Sequence, residues 1–357
     1  FFFKQKTAYE ILTCDWSSDV CSSDLTLTRA LQDLVRALDP LARDSRTLDN
    51  CCRRAGNLLH LLEDFNERTR TDDVQWIETR GPGFLLHRTP LEVAPIFQAR
   101  LAHYECNCIY TSATLAVGSD FSHFARQLGL EDVRSCSWPS PFDYPHQSLL
   151  YLPPDMPDPA SPGYTAAVVD RAMPVIEASA GHAFVLFTSH RALQEAASLI
   201  LRRTNYPVLV QGDDGKTALL ETFRTTPHAV LLGTASFWEG VDVRGPALST
   251  VIIDKLPFAA PDDPVCRARA ARMEAAGINP FLEYQLPQAI ITLKQGVGRL
   301  IRDQQDYGVM MICDPRLLTK SYGRKFLASL PAMPRTREVS DVQDFFRARR
   351  ARPAQQD

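Results

Sequence analysis

From Ala183 to Ile312 the sequence repeats one pattern: a short run of apolar residues without alternation, then a longer stretch whose apolar positions recur at helical spacing. Ala183–Phe187, Pro207–Val210, Val230–Leu232, Thr250–Ile253 and Val309–Ile312 read as strands, and Ala192–Arg203, Thr217–Arg224, Pro264–Ala276 and Phe281–Arg302 read as helices. Strands that are apolar throughout must be covered on both faces, and intervening helices let them run parallel. The pattern predicts an α/β fold built on a parallel sheet. In such sheets the segments that follow the strands gather on one edge, where ligands bind. Thr188-Ser189-His190, Gly233-Thr234-Ala235-Ser236, Asp254-Lys255 and Asp314 each follow a strand directly, so one edge collects polar groups.

The stretch Leu286–Arg302 carries a second signal. Ile290, Leu293, Val297, Leu300 and Ile301 define a packing face, while Gln295, Arg299 and Arg302 fall on another, about one turn apart. Gly296 and Gly298 each cost about 1 kcal/mol relative to alanine in a helix, so the spacing predicts a close approach to that backbone. Two guanidinium forks and an amide directed at one place suit a phosphate; a buried helix with two surface arginines is the alternative. The loop holding Glu239, Gly240 and Asp242 sets two carboxylates beside a glycine, fit for a ribose, a metal-bound water or facing arginines. A plain surface turn over a buried Trp238 competes with that reading. Gly212-Asp213-Asp214-Gly215-Lys216-Thr217 imitates a phosphate loop, but Val210 stands where glycine is needed and two aspartates would repel phosphates. It reads as a solvated turn.

A chain of 357 residues is long enough for about two domains with cores of their own. No apolar run approaches the ~20 residues of a membrane helix. A net charge of −3 leaves nucleic-acid binding to a local groove rather than the whole surface. Nine cysteines without regular spacing fit a reducing cytoplasm better than a disulfide framework. Cys106 and Cys108, near His87 and His103, match no zinc-knuckle spacing, and no metal site is expected. No Ser/His/Asp grouping or acid/base carboxylate pair stands out, which argues against an unaided hydrolase.

Residues 1–24 lack the pattern of a secretory signal; they resemble translated sequencing-adapter DNA and are expected to be an artefact without order. Residues 25–70 predict a helical hairpin, its first helix (Leu31, Leu34, Val35, Leu38) stopping near Pro40 and its second marked by Leu48, Cys52, Ala55, Leu59, Leu62 and Phe65. Val74–Glu78 and Phe84–His87 predict two strands about a Gly-Pro-Gly turn, followed by a helix over Leu91–His103. Cys108-Ile109-Tyr110 predicts a buried strand opening into Thr111-Ser112-Ala113-Thr114-Leu115. Trp138–Pro162, dense in proline, reads as a linker with a domain boundary near Tyr144. The arginine-rich tail, 336–357, reads as a solvated helix and frayed end within reach of a DNA backbone.

Taken in order, Thr111 through Leu115, Phe187-Thr188-Ser189-His190, Gly233 through Asp242, Gln288 through Arg302 and Leu317 through Arg324 resemble the C-terminal motifs of DinG-type DNA helicases. These are bacterial relatives of XPD within helicase superfamily two, and the YoaA branch is the best likeness. The likeness runs from about Leu25 to Pro334 and implies an ATP-driven motor of two RecA-like domains. It assigns 25–70 to an arch remnant, 71–143 to the C-terminal part of the first motor domain and 144–335 to a complete second one. It implies that Arg299 and Arg302 are arginine fingers and that Gln295 senses the same phosphate. By the same likeness Glu239, Gly240 and Asp242, with Ser112, Ala113 and Thr114, couple nucleotide to movement. Thr188, Ser189, His190 and Thr234 would hold the backbone of single-stranded DNA. Also implied are 5′→3′ movement in repair or replication, use of ATP and Mg2+, a 4Fe–4S cluster in the intact parent, and a replicase accessory subunit as partner. The family's phosphate loop, Asp-Glu-His box and cluster cysteines lie upstream of the matched part and do not occur in this chain, so it is expected to hydrolyse ATP negligibly by itself. The competing expectation is a non-catalytic nucleic-acid-binding or adaptor module that keeps the fold.

Overall fold

The computed structural model describes residues 20–351, apart from 44, 67–71, 81–82, 105, 235–236 and 238–244. Contacts divide the chain into two units: one takes the described residues of Phe1–Ala102 and Ala260–Pro280, the other those of His103–Ala259 and Phe281–Asp357.

In the first unit α1 (Val20–Ala42) and α2 (Arg46–Asn66) lie side by side, as the two apolar stripes require. The first helix runs through Pro40 instead of stopping there. It also begins inside the segment expected to lack order. Strands β1 (Asp73–Arg80) and β2 (Gly83–Pro90) form an antiparallel hairpin. Its inner pairs are specific: Trp76 stacks on His87 at 4.7 Å, His87 lies 3.0 Å from Glu78, and Arg88 reaches Asp73 at 2.6 Å. Helix α3 (Ala94–Leu101) follows. A distant segment, α9 (Pro264–Ala275), joins this unit through Arg269 to the Leu91 carbonyl and Arg272 to Asp72 and Glu92.

The second unit is the expected parallel sheet, with seven strands in the order β5-β6-β4-β7-β8-β3-β9. The strands are β3 (Ser148–Tyr151), β4 (Ala183–Leu186), β5 (Val208–Val210), β6 (Val230–Gly233), β7 (Thr250–Ile253), β8 (Gly308–Ile312) and β9 (Arg335–Thr336). Successive side chains point to opposite faces, and each face has its own core. Phe184, Leu186, Val251, Ile253, Met310 and Ile312 pack with α8 (Lys216–Thr225), α10 (Leu286–Val297) and α12 (Gly323–Ser329). Val185, Phe187, Ile252, Val309 and Met311 pack with α6 (Tyr164–Ala178), α7 (His190–Ile200) and α13 (Val339–Arg350). Two short helices, α4 (Ser122–Leu128) and α5 (Tyr144–Gln147), precede the sheet, and α11 (Arg316–Thr319) follows β8.

Several expectations are corrected. Cys108-Ile109-Tyr110 forms no strand, and Ile109 is 86% exposed; among the described residues no strand lies beside it, and a strand without a partner has no stability of its own. The proline-rich stretch expected as a linker contains β3, which is buried and paired on both sides. Prolines flank Ser148–Tyr151 without entering it, so its ladder stays intact. The helix expected in the tail is α13, and it is not wholly solvated: most of its residues are exposed, but Val342 and Phe346 are buried on the side of α6, and Arg349 and Arg350 donate to the carbonyls of His146 and Ala178.

Candidate functional site

The parallel register brings the ends of β4, β6, β7 and β8 to one edge, so the polar groups expected there do gather. Ser189 and His190, exposed, open α7 directly after β4. The Ser189 hydroxyl accepts from the Ala192 amide at 3.2 Å and caps the helix. This leaves a helix N-terminus, with its free amides and favourable dipole, facing outward. Thr234 follows β6 and is buried; its amide and hydroxyl both donate to Gln211 Oε1, at 2.6 and 3.0 Å, and its hydroxyl lies 3.4 Å from His190. Thr188 is tied to Asp254, the residue after β7: its amide donates at 3.0 Å and its hydroxyl at 3.4 Å. Thr188, Ser189, His190 and Thr234 therefore form one cluster over adjoining strands. Sequence reasoning passed over Gln211, whose position just past β5 is its only signal.

The other candidate group lies elsewhere. Helix α10 does not run to Arg302 but ends at Val297, with Gly298 as its cap at φ −63° and ψ −1°. The amides of Arg299 and Leu300 reach back only three residues, to the carbonyls of Gly296 and Val297, and tighten the chain out of the helix. Arg302 and Asp303 are then held by their amides on the Asp306 carboxylate, both at 2.8 Å. This turn sits at the opposite, amino-terminal edge of the sheet. Gln147, just before β3, donates to the carbonyls of Asp303, Gln304 and Asp306, and Leu300 packs on Gly308 at the start of β8. A Cβ on Gly308 would stand 2.3 Å from the Ser249 carbonyl oxygen and 2.6 Å from Leu300, which explains the glycine. The two arginines thus flank the buried pair Leu300 and Ile301 on a tight turn rather than sharing a helix face.

Gln295, Arg299 and Arg302 are all half-buried. Gln295 Oε1 is buried and has no hydrogen-bond partner among the described residues; the Nε atoms of both arginines are buried as well. Burial pulls the Arg302 guanidinium below its usual range, with Asp306 opposing. Lys294, one residue before Gln295, donates to the Ala116 carbonyl at 2.8 Å. That contact fastens Ala116, in the loop that follows Ser112-Ala113-Thr114, to the last turn of α10. Within the loop the Ser112 hydroxyl accepts from the Thr114 amide at 3.2 Å. Glu239, Gly240 and Asp242 lie outside the described residues. No three His, Cys, Asp or Glu side chains gather to hold a metal among the described residues. The guanidinium and amide donors collected at this end suit phosphate oxygens rather than a cation.

Residues 172–333 match the helicase C-terminal domain family. The chain is similar to the ATP-dependent DNA helicase YoaA of Haemophilus influenzae, 46% identical over 84% of this chain and 47% of that protein. It is also similar to the ATP-dependent helicase DinG of Mycobacterium tuberculosis, 36% identical over 76% of this chain and 42% of that protein. The chain therefore spans somewhat less than half the length of these relatives. A solved XPD helicase structure shares its fold with a TM-score of 0.58 at 16% identity, over 84% of this chain and 55% of that one. The parallel sheet is thus of the RecA-like kind found in helicase motors.

Proposed function

This chain belongs to the DinG/YoaA group of XPD-like superfamily-two helicases, and from that premise we propose that it supplies the second motor lobe of an ATP-driven DNA helicase. In this reading Arg299 and Arg302 reach the γ-phosphate of ATP gripped by the first motor domain and stabilise the charge of phosphoryl transfer. Gln295 turns its amide to the same phosphate or to the attacking water. Ser112, Ala113 and Thr114, with Glu239, Gly240 and Asp242, pass closure of the cleft to the sheet. At the opposite edge the start of α7 and the Thr234 loop hold the phosphodiester backbone of single-stranded DNA, a contact without sequence information. The DinG/YoaA likeness supports 5′→3′ movement, a repair or replication setting and a replicase accessory subunit as partner.

The observation that supports the reading is the pair of half-buried guanidinium groups of Arg299 and Arg302 on the turn that follows α10, whose last turn carries Gln295 with a buried Oε1. That oxygen can only accept, so it suits a water that would attack the phosphate, while the guanidinium groups and the Gln295 Nε2 amide are the donors that suit the phosphate itself. The test is Arg299→Ala in the full-length parent. It should lower DNA-stimulated ATP turnover by about 10³-fold or more while nucleotide affinity stays near that of the unsubstituted protein. Unaltered turnover would favour the adaptor module instead.

A further inference from the structure

Between the strand-binding cluster and the core stands a group that the motor reading leaves unused. Asp254 is 1% exposed at the carboxyl end of β7, yet its carboxylate holds three donors. Oδ1 accepts from the Thr188 amide at 3.0 Å and from the Lys255 amide at 2.6 Å, and Oδ2 lies 3.4 Å from the Thr188 hydroxyl. Its backbone carbonyl accepts the Tyr164 hydroxyl at 2.7 Å. The neighbouring cation is not spent on it: the Lys255 ammonium donates to the Pro159 carbonyl at 2.8 Å and lies 4.8 Å from the centre of the Tyr164 ring.

We propose that Asp254 is a positioning residue for nucleic-acid binding: by clasping Thr188 it fixes where α7 begins, and so sets Ser189 and His190 against the phosphodiester backbone. The inference rests on the strand-binding reading of that edge. Thr188 is the hinge between the end of β4 and the first turn of α7. Without the clasp its amide and hydroxyl lose their anchor, and the helix start is held by the Ser189 cap alone. The carboxylate one strand over does different work. Asp314 receives a bidentate fork from Arg316 and the amide of Leu256, contacts that lock β8 to the core and touch nothing at the strand-binding cluster.

A buried carboxylate is expensive, and here burial lifts its pKa to about 7, with Lys255 and Thr188 pulling the other way. The other titratable groups that feel its charge are Tyr164 on α6 and Cys313 after β8, and both also feel Asp314, which is paired with Arg316. None of them is a cation bonded to Asp254. A neutral residue of the same shape would relieve the cost of burial, so the retained charge points to the clasp.

The test compares the 357-residue chain with its D254N and D314N variants, using a fluorescent oligothymidylate and anisotropy at several salt concentrations. D254N should bind about tenfold more weakly, the loss of roughly one charge-assisted hydrogen bond, with no fall in melting temperature. Amide exchange at Thr188 should accelerate. D314N should melt lower while its folded fraction binds like the unsubstituted chain. Equal affinity for D254N, or a loss that D314N reproduces at equal folded fraction, overturns the proposal. If the unsubstituted chain shows no salt-sensitive binding at all, the strand-binding reading falls and takes this inference with it. Unchanged exchange at Thr188 instead removes the clasp alone.

Discussion

Asp254 and Asp314 end neighbouring strands and are both almost wholly buried, but their surroundings divide them. Arg316 closes on Asp314 with its Nε and terminal nitrogen at 2.6–3.1 Å, and that bonding raises the guanidinium's own pKa. Removing one member of a buried pair strands the other. Arg316→Ala should therefore cost about 2–3 kcal/mol by denaturant melting, somewhat less than the ~3–5 kcal/mol of a fully buried pair because the Arg316 side chain remains 29% exposed. Asp254 has no such partner, and its pKa rises from 3.8 to about 7. A raised carboxyl pKa means that the folded state binds the proton more tightly than the unfolded one. Stability is then greatest below about pH 4 as far as this group is concerned, falls between about pH 4 and 7 by up to about 1.4 kcal/mol per unit, and levels off above that. Substituting Asp254 by Asn should flatten that part of the stability curve between about pH 4 and 7, and a curve of unchanged slope would refute the assignment. The sequence shows both carboxylates at strand ends. It does not show which has an arginine, because Arg316 lies on the loop beyond its own aspartate and only the turn geometry folds it back. In the same way Gln295, Arg299 and Arg302 stand out by type, whereas their setting at the opposite edge from Thr188 and Thr234 depends on where α10 stops.

At the scale of elements, the apolar strands between Ala183 and Ile312 were legible because burial on both faces leaves no polar alternation, and each emerged within a residue or two of its expected span. The failures have physical causes. Strand β3 is four residues long and hidden among prolines, and its pairing with β8 and β9 is a long-range fact that no local signal carries. The end of α10 was read too late because the apolar spacing continues through Leu300 and Ile301, which are buried by the turn rather than by a helix. Helix α13 was read as a helix, but its packing was masked by its arginines. Its apolar positions are few, yet Val342 and Phe346 are fully covered by α6 and the sheet. Phe346→Ala should accordingly destabilise the second unit by about 3–5 kcal/mol, read as a lower midpoint in urea; a change under about 1 kcal/mol would mean that the tail is dispensable. Gly308→Ala should be similarly damaging, since the added methyl meets the rigid Ser249 carbonyl.

At the scale of the whole molecule, the two candidate sites sit at opposite edges of one sheet whose strands are packed on both faces. A change at Arg299 and Arg302 can reach the Thr188–His190 edge only by moving that sheet as a block or by shifting α10 along it, because close-packed interiors do not deform by degrees. No Gly-x-x-x-x-Gly-Lys-Ser/Thr run occurs in the 357 residues, and in the proposed division of labour the arginines beside α10 act on a phosphate whose β-phosphate and Mg2+ are held by the first motor domain. The purified chain should therefore bind single-stranded DNA with affinity that falls steeply as salt rises, while its DNA-stimulated ATP turnover stays at background. Added in trans to a first motor domain that carries the phosphate loop, it should restore turnover, and the Arg299→Ala form should fail to do so. Turnover by the chain alone would show that it holds a nucleotide grip of its own and would overturn the division of labour between lobes. Restoration by Arg299→Ala would leave that division standing and remove the arginine from its role.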